Sequence, residues 1–225
     1  MNFLRDHWFD LGIALALIVG LYVLVAQPPG LAGLLWLSLI TLFLHQFEEY
    51  RYPGYFPGMV NTAMYASAAP DRYPLNSHTA LVVNVLLGWL LYGLAALLNT
   101  RALWLGIATL VVSAGNVLAH TFLFNLRGRT RYNPGMLTSL VLFLPLVSYC
   151  GYWVVQTHAA TARDWGVGLV LGAAINYLGI LRLIEGLKDA NTRYVFPPRC
   201  LIPGPRPPPG PSSATPPHQG AGRRS

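Results

Sequence analysis

The sequence predicts an all-α protein: a polytopic integral membrane bundle of six transmembrane helices with both termini on the cytoplasmic side. Three observations carry that expectation. Of the 225 residues, 54% are hydrophobic and only 10% charged, where a soluble domain carries about 25%. The apolar residues come in long runs, close to the roughly 20 helical residues that cross a hydrocarbon core of about 30 Å. Positive charge is divided unevenly between the connecting segments. The net charge of +7 therefore reads as an orientation signal, with no nucleic-acid surface implied.

The first run, 11–26, is "LGIALALIVGLYVLVA", preceded by an interfacial segment 1–10 that contains Arg5. It has the outline of a signal peptide, but "VAQPPG" lacks a small-x-small cleavage pattern, so retention as a spanning helix is expected. The second run, 31–50, ends at "RYPG". The connection 51–77 is long for a compact fold, aromatic, and carries two Pro-Gly pairs. It is expected to form an ordered cap or a shallow interfacial segment. "NTR" parts the third run, 79–98, from the fourth, 102–125, and "NLRGRTRYNPG" parts the fourth from the fifth, 135–156. "HAATARD" precedes the sixth, 165–186. The transmembrane domain is thus expected over 11–190. From 191 to 225 the chain is rich in Pro, Gly and Arg and reads as a disordered cytoplasmic tail.

Six passes would collect Arg5, Arg51, Arg72, Arg127, Arg129, Arg131, Lys188 and Arg193 on one side and leave Arg101 and Arg163 on the other. That bias marks the cytoplasmic face and points to a multi-pass protein of the inner or plasma membrane. The two cysteines, Cys150 and Cys200, make neither a disulfide framework nor a Cys-rich metal site.

Against this apolar background the polar residues are few and grouped. His45, Glu48 and Glu49 stand at i, i+3 and i+4 at the end of the second run, so they share one helical face. Asn116 and His120 stand at i and i+4 on the fourth, with His120 roughly 10 Å short of the level of Arg127. His78 and Asn84 open the third run, and Asn176, Tyr177, Arg182 and Glu185 close the sixth. Ionisable side chains inside a membrane face a bundle interior, a partner or a watery pocket. The grouping therefore predicts a polar pocket open to the cytoplasm.

The stretch His45-Gln-Phe-Glu48-Glu49 resembles the His-x-x-Glu-Glu motif of the HXXEE domain family, a group of integral membrane proteins. "RYPG" after the motif, the Asn116-x-x-x-His120 helix and "YNPGMLTS" at the start of the next run are similar too, so the likeness covers about 31–186. It implies that His45, Glu48, Glu49, Asn116 and His120 belong to one site. The family is named for its motif, so the resemblance implies a site and not a reaction.

Two imidazoles and a carboxylate with an open position form a ligand set for hydrolytic zinc or non-haem ferrous iron. On that reading His45, Glu48 and His120 hold the ion. Glu49 is the general base, and Asn116 steadies His120 or polarises substrate. The choice of Glu48 over Glu49 as ligand is open at the sequence level. The expected partners are membrane lipid and an apolar or lipid-like small-molecule substrate. There is some likeness to the membrane-embedded prenyl-protein proteases, but Glu48-Glu49 runs into Tyr50-Arg51 and a second His-x-x-x-Asn helix is missing. Two other classes stay open: a proton- or cation-coupled transporter using the same residues as a relay, and a non-enzymatic scaffold whose polar residues only join helices.

Overall fold

A computed structural model describes residues 2–203; among them the chain is helical with no strand. Helices α1 (Asn2–Ala26) and α2 (Gly30–Tyr50) run antiparallel. Trp8 meets Tyr50 at one end, with ring centroids 4.8 Å apart, and Tyr22 meets Trp36 towards the other, at 5.1 Å. A short α3 (Phe56–Ala63) lies in the connection expected to form a cap, and the second Pro-Gly pair opens it. Helix α4 spans 77–98 and begins at Asn76, whose side chain accepts from the backbone N–H of His78 and Thr79. Helix α5 spans 103–128; α6 is Met136–Gln156 and α7 is Ala162–Gly186.

Five helical stretches are long and apolar enough to cross a membrane, one of them being Ser77–Gly128 with 52 residues. As a straight helix that stretch would measure about 78 Å, far more than a bilayer needs. It is instead broken at Asn99, with φ 49° and ψ −125°, and continues through a 3₁₀ turn, Asn99–Ala102, into α5.

Hydrophobic clusters at the two ends fix the alternation of the helices. One joins Trp8, Tyr50, Leu75, Ala80, Ile184 and Phe196, which brings together the start of α1, the end of α2, the start of α4 and the end of α7. The other joins Leu31, Leu35, Ala96, Leu103, Ile107 and Val154 from the opposite ends. Helix α7 packs most closely on α5 because Gly168 and Gly172 let its backbone approach. A Cβ at Gly172 would lie 2.5 Å from that of Val111, the small-residue contact that joins membrane helices where no hydrophobic force does.

At the N-terminus residues 2–10 form the first turns of α1, and Trp8 and Phe9 are buried. Disorder expected from residue 191 does not describe 191–203. There the backbone of Phe196 donates to Asp71 and the carbonyl of Tyr194 accepts from Ser77, at 2.7 and 3.1 Å, and Phe196 and Cys200 are buried. The prolines deny the segment a long helix, but these two apolar side chains anchor it. Residues 204–225 of that expectation lie outside the described residues.

All four later helices carry a π-helical stretch: Val82–Trp89 in α4, Ala119–Leu123 in α5, Ser139–Phe143 in α6 and Ile175–Arg182 in α7. Each lies in the half of its helix nearer the first cluster. Such wide turns occur mostly at functional sites, and His120 sits in one of them.

Candidate metal centre

His45 and His120 meet between the last turns of α2 and α5, with ring centroids 4.9 Å apart and planes at 85°. Glu49, one turn after His45, places Oε1 3.5 Å from Nε2 of His45 and 3.2 Å from Nε2 of His120. One ligand atom from each of the three residues lies within 4.8 Å of the others, and all three side chains are buried. Rings of Phe56, Phe124 and Phe143 stand about 5 Å from the imidazoles, so the cluster has an apolar wall.

The hydrogen bonds around the rings decide where their protons are. Asn133 donates through Nδ2 to the backbone carbonyl of His120 and to the side-chain Oδ1 of Asn125, both at 2.8 Å. Its amide is therefore oriented with Oδ1 towards Nδ1 of His120, 2.6 Å away. An acceptor there requires Nδ1 to carry the proton, which leaves Nε2 with its lone pair. His45 is held likewise. The Thr138 hydroxyl gives its one proton to Oε2 of Glu48 at 2.6 Å, a charge-assisted bond, and so accepts from Nδ1 of His45 at 2.9 Å. Nε2 of His45 is buried without a hydrogen-bond partner. Two imidazole lone pairs and one carboxylate oxygen thus converge with no donor between them.

Glu48 stands apart from this group. Its carboxylate accepts four bonds: from the backbone N–H of Leu137 and Thr138, the Thr138 hydroxyl, and the phenol of Tyr132 at 2.8 Å. It caps the start of α6, where free N–H groups and the helix dipole both favour an anion. Burial, and after it the bond to Glu48, hold the Tyr132 phenol well above its ordinary pKa, so it stays a donor at neutral pH.

Of the five expected site residues, the fold gathers His45, Glu49 and His120 and sends Glu48 to the neighbouring helix end. Asn116 does not touch His120: its Nδ2 bonds the Val112 carbonyl at 3.3 Å and its side chain lines an adjacent cavity. Asn133 holds His120 instead. Sequence reasoning gave Thr138 and Gly135 no role. Gly135 has φ +97°, and a Cβ on it would run into both imidazoles. The signal that could have found these residues is the polar run "YNPGMLTS", which interrupts the apolar pattern opposite the motif.

The adjacent cavity, about 960 Å³, extends from His45 and Glu49 between α2, α4, α5 and α7. Its walls are mostly aliphatic and aromatic. Gln46 and Asn84 line it as well, tied to each other at 3.1 Å and to Trp89 and Tyr50.

These features define a class: a helical membrane protein with a buried His₂Glu cluster at one end of its bundle. A family model described as "Protein of unknown function with HXXEE motif" matches residues 36–150. The chain belongs to that HXXEE family, and all residues of the cluster and its hydrogen-bonded support lie inside the match. No curated protein and no solved structure matches the chain.

Proposed function

We propose that His45, Glu49 and His120 hold one divalent ion, zinc or iron, and that the chain is a metal-dependent membrane hydrolase or oxidase acting on an apolar, lipid-like substrate. On this reading the chain crosses the membrane six times, with Ser77–Gly128 supplying two passes, and the cluster lies near the cytoplasmic face with both termini. The observation that carries the proposal is the convergence of three acceptors. Three lone-pair donors facing one another in a buried space need a cation to be stable.

The spacing supports it as well. Ligands at about 2.0–2.1 Å from a tetrahedral ion stand about 3.3 Å from one another, and Glu49 Oε1 stands 3.5 and 3.2 Å from the two imidazole nitrogens. Glu49 therefore takes the ligand place expected of Glu48, and Glu48 orients His45 through Thr138. Hydrogen bonds of this kind at the far ring nitrogen fix a ligand's tautomer and raise its basicity. Asn116, on the cavity wall, is assigned to substrate and not to the ion. When bound, the ion would activate water or polarise a carbonyl.

Metal analysis of the purified full chain is expected to give about one equivalent of zinc or iron per chain. His45→Ala, Glu49→Gln and His120→Ala are each expected to lose it while folded protein is still recovered. A folded wild type that takes up no metal would sink the proposal. In that case proton uptake into vesicles, abolished by Glu49→Gln, would indicate a transporter. Loss of thermal stability in His45→Ala with no proton uptake would indicate a scaffold.

A further inference from the structure

The cavity beside the cluster has an opening, a lining and a charge pattern that specify what fits in it. Along α5 and α7 the packing is tight at Gly168 and Gly172 and continues to Asn176, whose Nδ2 bonds the Val111 carbonyl at 3.2 Å. Beyond that point the helices diverge. Leu118 and Phe122 of α5 and Tyr177 and Leu181 of α7 are exposed, by 60, 57, 57 and 45%, and all four line the cavity. They rim its mouth on the flank of the bundle, between two helices that are apolar enough to cross a membrane. The mouth therefore faces hydrocarbon.

Inside, the cavity reaches His45 and Glu49. No lysine or arginine lines it, Glu49 is its one acidic residue, and beside the His45 imidazole its polar side chains are mainly neutral amides and tyrosines, among them Gln46, Asn84, Asn116 and Asn176. Without an ion on the cluster, a head group carrying negative charge would meet a carboxylate and no cation in a largely apolar enclosure, which is costly. A volume of about 960 Å³ is at the upper end of small-molecule pockets, about 300–1,000 Å³. That suits a long chain better than a compact metabolite.

We infer that the cavity binds an uncharged, single-headed amphiphile, such as a long-chain alcohol or acyl ester. It enters sideways from the bilayer between α5 and α7, with its polar head at Glu49 and its chain along Leu42 and Leu91. This deepens the reading of the cluster as a reactive centre, but the occupancy of the cavity is tested apart from metal and activity.

The test uses the full chain, stripped of metal with a chelator, in phosphatidylcholine vesicles with two photoactivatable probes: a diazirine-bearing long-chain alcohol and the alkyl phosphate of the same chain. Leu42 lines the cavity and is only 5% exposed, whereas Val170 is 71% exposed on the outer surface of α7. Labelling at Leu42 therefore reports entry, and labelling at Val170 reports lipid contact. The alcohol is expected to label Leu42, and the alkyl phosphate to do so about tenfold less once normalised to Val170, a difference of about 1.4 kcal/mol. Ala119→Phe and Ala114→Phe, two independent ways of filling the cavity, are each expected to cut labelling at Leu42 several-fold and to spare Val170. Equal labelling of Leu42 by the two probes, or none by either in the wild type, would overturn the inference. His45→Ala is expected to lose metal and keep the Leu42 label. A wild type that takes up no metal when it is offered and still labels at Leu42 would defeat the metal reading alone.

Discussion

Asn133 and Thr138 show how much of a site can rest on residues that touch no ligand. Each meets Nδ1 of one imidazole, at 2.6 and 2.9 Å, and thereby frees Nε2 for the shared space beside Glu49. Removing such a partner costs about 10–100-fold in metal affinity. Asn133→Ala should therefore weaken zinc binding by about that factor, whereas Asn116→Ala should leave it unchanged, as read by competition with a chelating indicator. If the two effects come out reversed, His120 is held in another way. His45, Glu49 and His120 were legible in the sequence, because the helical repeat stacks i and i+4 and depth from the charged loops aligns two different helices. The choice between Glu48 and Glu49 was not legible. Both lie on the same face, and what separates them is the path of the turn around Gly135, which no periodicity encodes.

At the scale of single elements, the start of α6 gives Glu48 its role. The backbone N–H groups of Leu137 and Thr138 have this carboxylate as their cap, at 3.1 and 2.8 Å. Glu48→Ala would leave those half-buried donors without their cap and free the Thr138 hydroxyl. A cost of roughly 2–3 kcal/mol is expected, seen as a lower melting temperature in detergent even in metal-free protein. An unchanged melting temperature would mean that water replaces the cap. The π-helical stretches belong to the same scale. They widen α4, α5 and α7 where these helices border the cavity, and no feature of the helical repeat in these runs announces the wider turn. The packed segment 191–203 escaped the sequence for a related reason. Its Pro and Gly content dominates the average, while its hold on the bundle rests on Phe196 and Cys200.

For the whole molecule, the long apolar runs and the divided positive charge made the helical bundle readable from composition alone. The break between α4 and α5 was visible as "NTR", and Asn99 at φ 49° is where the chain turns back. The proposed six passes would place the loops at Thr130 and His158 on opposite faces of the membrane. Thr130→Cys is expected to react with an impermeant maleimide only in inside-out vesicles, and His158→Cys only in right-side-out ones; labelling of both from one side would refute the topology. The native cysteines should not interfere. Both are buried, and burial pushes the Cys200 thiol up to about 11, which keeps it protonated at neutral pH. The central claim concerns the ion in the His₂Glu cluster, and zinc K-edge X-ray absorption on the zinc-loaded full chain addresses it most directly. The spectrum should show two imidazole nitrogens at about 2.0–2.1 Å and carboxylate oxygen at about 2.0–2.2 Å, and this two-imidazole shell should be absent from any zinc that His120→Ala retains. Zinc that washes away, or an all-oxygen shell identical in wild type and His120→Ala, would contradict it.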